Sequence, residues 1–404
     1  MRKIVLVILL LVIALPAHAQ EASAVVVVWA DDGGVWYWRS DVPETRQLAE
    51  MAGVVPDVAP DGLTVAFWQP EQADIGLIDA ATAELTWVDF QSPDHQITPD
   101  LEWSKDGQTL YFMTDVGSGL SRQAADDLWQ ADVHSGSVEQ LLPDGEGGRR
   151  AFLSPDGAYL AIVAAGQYAQ EGETSGVLGR IQIYDLEAGQ VMNTLQFPSV
   201  ASASEWPWYP SVRWLADSSG ILTALPPADL VYGATDKKTV LALIPVEGAP
   251  AIEGQVEADF FGLPEFSADG EWVAYLEQRE SPEYLPHQLI RARRDGSDPQ
   301  PYWQLGERGA LFYNWLPGTN QIQIQEAGAD GVTSIWVGRP DETPSLLTTY
   351  ALAGYIQWVD ETRYVFSTGE MDGEQLKGFA LYSGTTVIAR SESIMTFDAA
   401  LVPQ

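Results

Sequence analysis

Ser154-Pro155-Asp156-Gly157 is the stretch of sequence that decides the fold, because it recurs along the chain. It follows a short apolar segment and precedes a strand-like run, Tyr159 to Val163. Close copies stand at Ala59-Pro60-Asp61-Gly62, Ser104-Lys105-Asp106-Gly107 and Ser267-Ala268-Asp269-Gly270, and divergent copies at 216–220, 316–319 and 359–362. The successive aspartates Asp61, Asp106 and Asp156 are 45 and 50 residues apart. A period of this size, with several strands in each unit, is typical of propellers and related repeat architectures.

The unit around Ser154 predicts four strands, which we label a to d: Ala151–Ser154, Tyr159–Val163, Arg180–Asp185 and Val191–Gln196. Pro155 suits the second position of a tight turn between strands a and b, and Gly157 closes that turn. Such a sheet has two apolar faces, so it must stack on neighbouring units. The same pattern fits residues 56–90, 101–142, 211–256, 264–304, 311–348 and 355–390, which gives seven complete units.

Residues 25–50 predict an eighth unit that lacks strand a, with Val25–Trp29, Val35–Arg39 and Thr45–Leu48 as strands b, c and d. The segment Ile394–Val402 can supply the missing strand. Pairing of the two terminal segments would close a ring and leave no open sheet edge. We therefore predict an all-β fold: one β-propeller domain over residues 20–404 with eight four-stranded blades, with seven blades as the alternative.

The repeats resemble those of the TolB-like, WD-repeat-like β-propellers of bacterial exported proteins. The resemblance rests on the Ser/Ala-Pro/Ala-Asp-Gly turn after strand a, and it extends over nearly all of the chain that follows residue 20. It implies the propeller fold and leaves the function open.

The first 19 residues have the pattern of a secretory signal peptide. Arg2 and Lys3 precede the apolar stretch Ile4–Leu15, and Ala17-His18-Ala19 is a small-x-small cleavage pattern. The apolar stretch is short for a membrane span, which needs about 20 residues, but an uncleaved anchor is the alternative. The pattern predicts a protein exported to the periplasm or the exterior.

Composition excludes several kinds of chemistry. The chain of 404 residues has 57 acidic and 21 basic residues, a formal net charge of −36 and no cysteine. Disulfides and thiolate metal sites are therefore impossible, and the charge disfavours nucleic acid and anionic membranes as partners. The sequence also lacks the common nucleophile, zinc-protease and phosphate-loop motifs. We expect no catalytic residues, no cofactor and no metal; a metal between His95, His287 and carboxylates is the less favoured alternative.

The long connections of the repeat all fall on one face, where the b–c and d–a loops lie, and long loops often carry function. The segment Glu205-Trp206-Pro207-Trp208-Tyr209-Pro210 in one of these loops has no counterpart in other units. Its aromatic side chains could stack on a sugar ring or a peptide, or else pack against neighbouring blades. The ligand-binding candidates on this face are Glu205, Trp206, Trp208, Tyr209, Tyr168, Tyr232, Tyr284, His95 and His287.

A second candidate site is the central channel, because strand a is the innermost strand of each blade. Five polar residues occupy nearly the same register in the predicted a strands: Glu102, Arg213, Glu265, Asn314 and Gln357. They are predicted to line the channel. By contrast, Trp103, Trp214, Trp315 and Trp358 recur beside the a–b turn and are predicted to pack between blades.

These observations favour a secreted, monomeric, non-catalytic propeller that binds a protein, peptide or glycan of the cell envelope or exterior on the face with the long loops. A polysaccharide hydrolase or lyase with its site at the channel mouth is the first alternative. A structural component of the cell envelope is the second.

Overall fold

Eight four-stranded antiparallel sheets make up the computed structural model, and they confirm the predicted eight-bladed β-propeller. The structure describes residues 23–69, 74–90, 95–116, 127–142, 150–164, 179–197, 209–225, 238–259, 264–277, 288–304, 310–328, 332–351, 354–372 and 375–403. Every regular element within these ranges is a strand. No helix that could cross a membrane is found among them.

The strands follow the chain in order. Blade 1 contains β1 (Ser23–Asp31), β2 (Gly34–Arg39) and β3 (Val42–Ala49). Blade 2 contains β4 (Val55–Val58), β5 (Thr64–Gln69), β6 (Asp74–Asp79) and β7 (Leu85–Trp87). Blade 3 contains β8 (His95–Trp103), β9 (Thr109–Val116), β10 (Asp127–Asp132) and β11 (Val138–Leu142). Blade 4 contains β12 (Arg150–Leu153), β13 (Tyr159–Ala164), β14 (Gly179–Asp185) and β15 (Gln190–Phe197).

Blades 5 to 8 repeat this arrangement. Blade 5 contains β16 (Ser211–Trp214), β17 (Gly220–Leu225), β18 (Thr239–Pro245) and β19 (Ala251–Val256). Blade 6 contains β20 (Glu265–Phe266), β21 (Trp272–Leu276), β22 (Gln288–Arg293) and β23 (Gln300–Gln304). Blade 7 contains β24 (Ala310–Trp315), β25 (Ile322–Ala327), β26 (Val332–Gly338) and β27 (Ser345–Ala351). Blade 8 contains β28 (Ile356–Trp358), β29 (Tyr364–Asp372), β30 (Gln375–Ser383) and β31 (Thr386–Ser391), and the chain then enters β32 (Ile394–Pro403).

The recurring tetrapeptide is a side-chain-stabilised turn between strands a and b. In blade 4 the Asp156 carboxylate accepts hydrogen bonds from the Ala158 N–H (3.0 Å) and the Ser154 hydroxyl (2.6 Å). The Ser154 hydroxyl in turn accepts from the Tyr159 N–H at 2.9 Å. Gly157 has a φ of +80°, a conformation that glycine adopts without steric cost. These bonds explain why Ser, Asp and Gly recur together: each fixes one part of the turn.

One buried apolar cluster lies at each blade-to-blade interface within the described residues. Strand β1 shows how the sequence serves two interfaces at once. Its residues Ala24, Val26 and Val28 pack against blade 2, whereas Val25, Val27 and Trp29 pack against blade 8. Because successive side chains of a strand point to opposite faces, a strand between two blades must be apolar along its whole length.

The C-terminal strand closes the ring. Strand β32 pairs with β1 at nine positions, from Ser23 opposite Pro403 to Asp31 opposite Ile394. It becomes strand a of blade 1, and β1, β2 and β3 become strands b, c and d, so the predicted closure is confirmed. Arg363 of blade 8 donates two further hydrogen bonds to Ser23, at 3.0 Å to its carbonyl and 2.9 Å to its hydroxyl.

Two glycines with the same backbone conformation allow the closure to be tested. Gly62 and Gly318 both have a φ of +69°. A Cβ at Gly62 would lie 2.6 Å from Cγ1 of Val402 in the closing strand, whereas a Cβ at Gly318 meets nothing within 4 Å. We expect Gly318→Ala to lower the free energy of unfolding by about 1–2 kcal/mol through backbone strain alone. Gly62→Ala should cost roughly 1–3 kcal/mol more, because it also overpacks the seam.

The measurement is urea unfolding of both variants and the wild type, followed by tryptophan fluorescence. Equal losses for Gly62→Ala and Gly318→Ala would show that Gly62 does not lie against the closing strand.

Candidate functional site

The innermost strands bring one residue of each blade to the same level of the central channel. In seven blades this residue stands two positions before the first residue of the a–b turn. In blade 1, whose strand a is β32, it is Asp398, which accepts hydrogen bonds from Gln357 of blade 8 and from the Val58 N–H of blade 2. We call these eight residues the channel ring. In blade order they are Asp398, Asp57, Glu102, Phe152, Arg213, Glu265, Asn314 and Gln357. All eight are half-buried.

Several ring side chains hydrogen-bond to the next blade. Glu102 accepts from the Leu153 N–H with Oε1 at 2.8 Å, and the Arg213 Nε donates to the Phe266 carbonyl at 3.1 Å. Gln357 donates from Nε2 to Asp398 Oδ1 at 2.6 Å, and Asp398 Oδ2 accepts from the Val58 N–H at 2.8 Å. The ring side chains therefore tie the innermost strands of neighbouring blades together.

Tryptophans next to the ring residues fix the inner strands from the other side. Trp103, Trp214, Trp315 and Trp358 are buried, and each indole N–H donates a hydrogen bond to the preceding blade. The Trp103 indole donates to Asp57 Oδ1 at 2.9 Å, and the Trp214 indole donates to the Phe152 carbonyl at 2.9 Å. Their predicted packing between blades agrees with this geometry. Successive residues of strand a thus have separate tasks, because the tryptophan packs between blades and the ring residue before it lies on the opposite face of the strand.

Glu102 and Glu265, two carboxyls of the channel ring, are unusually weak acids. Burial raises the pKa of Glu102 to about 7, although the hydrogen bond from the Leu153 N–H opposes the rise. Burial also raises the pKa of Glu265 to about 7 against the lowering effect of the Arg213 charge. Carboxyls with pKa values near neutrality can exchange protons at physiological pH.

Asp57 and Asp398 form a carboxyl pair where blades 1 and 2 meet. Burial raises the pKa of Asp57 well above its usual range, and the neighbouring Asp398 charge raises it further. Asp398 accepts hydrogen bonds from the Gln357 side chain and from the Val58 N–H.

A funnel opens from the ring toward the face that carries the short a–b turns. This cavity has a volume of about 720 Å³, which lies in the usual range for small-ligand sites. Three consecutive ring residues, Glu102, Phe152 and Arg213, form its floor. Its rim consists of turn residues from blades 4 to 8, including Asp269, Asn320, Arg339 and Glu361. A smaller cavity of about 380 Å³ adjoins it at Glu102.

The structure places the five predicted channel residues Glu102, Arg213, Glu265, Asn314 and Gln357 at one register of strand a. Sequence reasoning missed Asp57, Phe152 and Asp398. Counting back two residues from Ala59 would have found Asp57, and the same count from Ser154 gives Phe152. Asp398 had no such signal, because β32 is not followed by a turn.

Most predicted residues of the loop-rich face lie outside the described residues. Glu205, Trp206, Trp208, Tyr168, Tyr232, Tyr284 and His287 belong to this group, as do residues 1–19 of the predicted signal peptide. His95 begins β8, where its backbone is paired with that of Val116. Tyr209 is half-buried, packs on the cluster between blades 4 and 5, and has the Arg150 guanidinium 5.3 Å from its ring centre. In the described part of the chain, no group of three or more His, Asp or Glu side chains could hold a metal ion.

Comparison with known proteins supports the fold and goes no further. No family model and no curated protein matches the chain. The β-propeller domain of the trilobed protease from Pyrococcus furiosus aligns with a TM-score of 0.52 at 14% identity, over 83% of this chain and 98% of that chain. A eukaryotic initiation factor aligns with a TM-score of 0.52 at 10% identity, over 95% and 98%. TolB from Acinetobacter baumannii gives a TM-score of 0.35 at 16% identity, over 70% and 64%.

At such identities the likeness shows a β-propeller fold alone. Membership of the TolB-like repeat family stays a prediction.

The raised carboxyl pKa values predict a protein that loses stability as the pH rises toward neutrality. A carboxyl with a higher pKa in the folded chain stabilises the fold fully below its unfolded pKa, and this contribution disappears as the pH passes the folded pKa. For Glu102 the window runs from 4.5 to about 7, which corresponds to roughly 3 kcal/mol. Glu102→Gln removes this cost, so we expect the variant to differ from the wild type by about 1 kcal/mol or less at pH 5 and to exceed its stability by a larger margin at pH 8.

Urea unfolding at pH 5 and pH 8 measures this difference. Glu271→Gln, in the exposed turn before β21, is the matched control and should keep the wild-type pH dependence. If Glu102→Gln also keeps it, the Glu102 carboxyl is not buried in the channel as described.

Proposed function

We propose that the protein is a non-catalytic, ligand-binding β-propeller and that a peptide or glycan segment enters the funnel on the short-turn face. The observation that supports this proposal is the cavity of about 720 Å³, whose floor combines an acid, an aromatic ring and a guanidinium. Ligand sites are usually concave and combine apolar surface with a few convergent polar groups. Such a volume accommodates a peptide end or one to two sugar residues, in keeping with the usual size range of ligand pockets.

Binding on the long-loop face remains part of the proposal as its alternative location. Trp206, Trp208 and the other predicted residues of that face lie outside the described residues, so the funnel is the better supported site. The two locations differ in the aromatic residues on which they depend. Phe152 lies in the floor of the funnel, whereas Phe312 stands two positions before the ring residue of blade 7, toward the long-loop face, and is 66% exposed.

This difference gives a direct test. Arrays of immobilised peptides and of bacterial envelope glycans are probed with the wild type and with Phe152→Ala, Phe312→Ala and Trp206→Ala/Trp208→Ala. We expect binding that falls at least about tenfold in Phe152→Ala, because truncation of a buried aromatic contact commonly costs more than 1 kcal/mol. Phe312→Ala and the double tryptophan variant should bind like the wild type.

The reverse pattern would move the site to the long-loop face. Binding unchanged in all three variants, or absent from the wild type, would contradict the proposal. Thermal unfolding of each variant checks that the propeller is intact.

A second candidate function is polysaccharide hydrolysis or elimination at the channel mouth. The specific observation in its favour is that burial raises the pKa of both Glu102 and Glu265 to about 7, where a carboxyl serves well as a general acid or base. If the wild type releases new sugar ends from polysaccharides, and both Glu102→Gln and Glu265→Gln lose this activity, the enzymatic function replaces the binding function as the proposal.

We also propose export of the chain to the cell envelope or exterior, on the pattern of residues 1–19 alone. The protein is proposed to act there as a monomer on a protein, peptide or glycan partner. A purely structural role in the envelope would require that no ligand occupies the funnel.

A further inference from the structure

Arg213 presents an unpaired guanidinium to the funnel. Its Nε donates to the Phe266 carbonyl at 3.1 Å, and its side chain lines the cavity. The two terminal nitrogens have no hydrogen bond or ion pair with any residue that the structure describes.

The surroundings of Arg213 leave its charge poorly compensated. Burial lowers the pKa of the guanidinium, and the charge of Glu265 raises it only in part. The pKa of Glu265 is itself about 7, so at neutral pH that carboxyl is ionised for only part of the time. A partly desolvated cation without an ion-pair partner is costly, and an anionic group from outside can supply the missing partner.

Two further residues of the floor, Phe152 and Glu102, follow on one side of Arg213 in blade order. Phe152 is the only member of the channel ring without a polar side chain, and it stands between Glu102 and Arg213 in blade order. Glu102 uses Oε1 for the Leu153 N–H, while its other oxygen has no partner among the described residues. The floor therefore offers, in sequence, a hydrogen-bond acceptor, an apolar ring and a cation with two parallel donors.

We propose that the funnel selects a small organic acid: its carboxylate pairs with Arg213, and its apolar ring lies on Phe152. This inference rests on the proposed function and specifies the ligand class of the same site. The chain has a net charge of −36, which repels anions at long range. Selection must therefore come from the short-range, two-pronged contact that a guanidinium makes with a carboxylate and an ammonium does not.

Isothermal titration calorimetry with two probes tests the inference. The first probe is 3-phenyllactate, a free hydroxy acid; the second is N-acetylphenylalanine, which represents the carboxyl end of a peptide. The amide of each probe is the neutral counterpart. We expect at least one acid to bind the wild type and its amide to bind at least about tenfold more weakly, as expected for loss of a charge-assisted pair of hydrogen bonds.

The variants separate charge from geometry. Arg213→Met and Arg213→Lys should both weaken binding of the acid at least about tenfold. The methionine removes the charge, and the lysine keeps the charge but cannot donate two parallel hydrogen bonds to one carboxylate. Arg390→Met is the matched control: Arg390 is exposed on β31, the outermost strand of blade 8, and is paired with Glu370 at 2.7 Å. It should bind like the wild type. Thermal unfolding of each variant reports whether the fold is kept.

The outcomes distinguish the ligand class from the function. Acid and amide binding equally well, Arg213→Lys binding like the wild type, or neither acid binding would each overturn the proposed class. If peptides or glycans nevertheless bind in a manner that Phe152→Ala abolishes, the proposed function stands with a neutral ligand. If the acids do not bind as proposed, and no peptide or glycan binding is abolished by Phe152→Ala, the funnel is not a binding site.

Discussion

The pairing of β1 with β32 is the constraint on which the rest of the structure depends. Each blade buries both faces against its neighbours, so an open arrangement would leave one apolar face of blade 1 and one of blade 8 in water. Nine residue pairs between the two terminal strands join blade 8 to blade 1 and complete blade 1 with its innermost strand. The closure also delivers Asp398 to the channel, where it contacts both Gln357 and the strand of blade 2.

The chemistry of the channel follows from the two-residue period of strand a. One set of positions carries the tryptophans that bind the preceding blade, and the alternate set carries the channel ring. Burial then raises the pKa of Glu102 and Glu265. Arg213, in the same ring, has no ion-pair partner among the described residues. The candidate site is therefore a by-product of packing eight similar units around one axis, with its specificity set by which residue each unit contributes.

Because the sequence repeats, the architecture could be predicted from it, whereas the residues of the candidate site could be predicted only in part. The four Asp-Gly turns and three divergent copies predicted seven blades. The apolar segment Val25–Trp29, which has no preceding turn, indicated an eighth blade whose first strand had to come from elsewhere. Five ring residues could be placed by their distance from a turn. Phe152 was missed because the prediction considered only polar residues in the a strands. Asp398 was missed because its strand could not be aligned with the others by a recurring turn. The funnel itself could not be predicted, because its volume depends on how far eight turns stand from the axis.

Disulfide trapping tests the closure most directly, because the chain has no cysteine of its own and therefore no background. Val26 and Ala400 are paired across β1 and β32, whereas Leu401 is one residue out of register and its side chain points to the other face. The account predicts that Val26→Cys/Ala400→Cys forms an intramolecular disulfide under mild oxidation and that Val26→Cys/Leu401→Cys does not. Absence of the bond in the first variant, or equal bond formation in both, would contradict the closed eight-bladed ring.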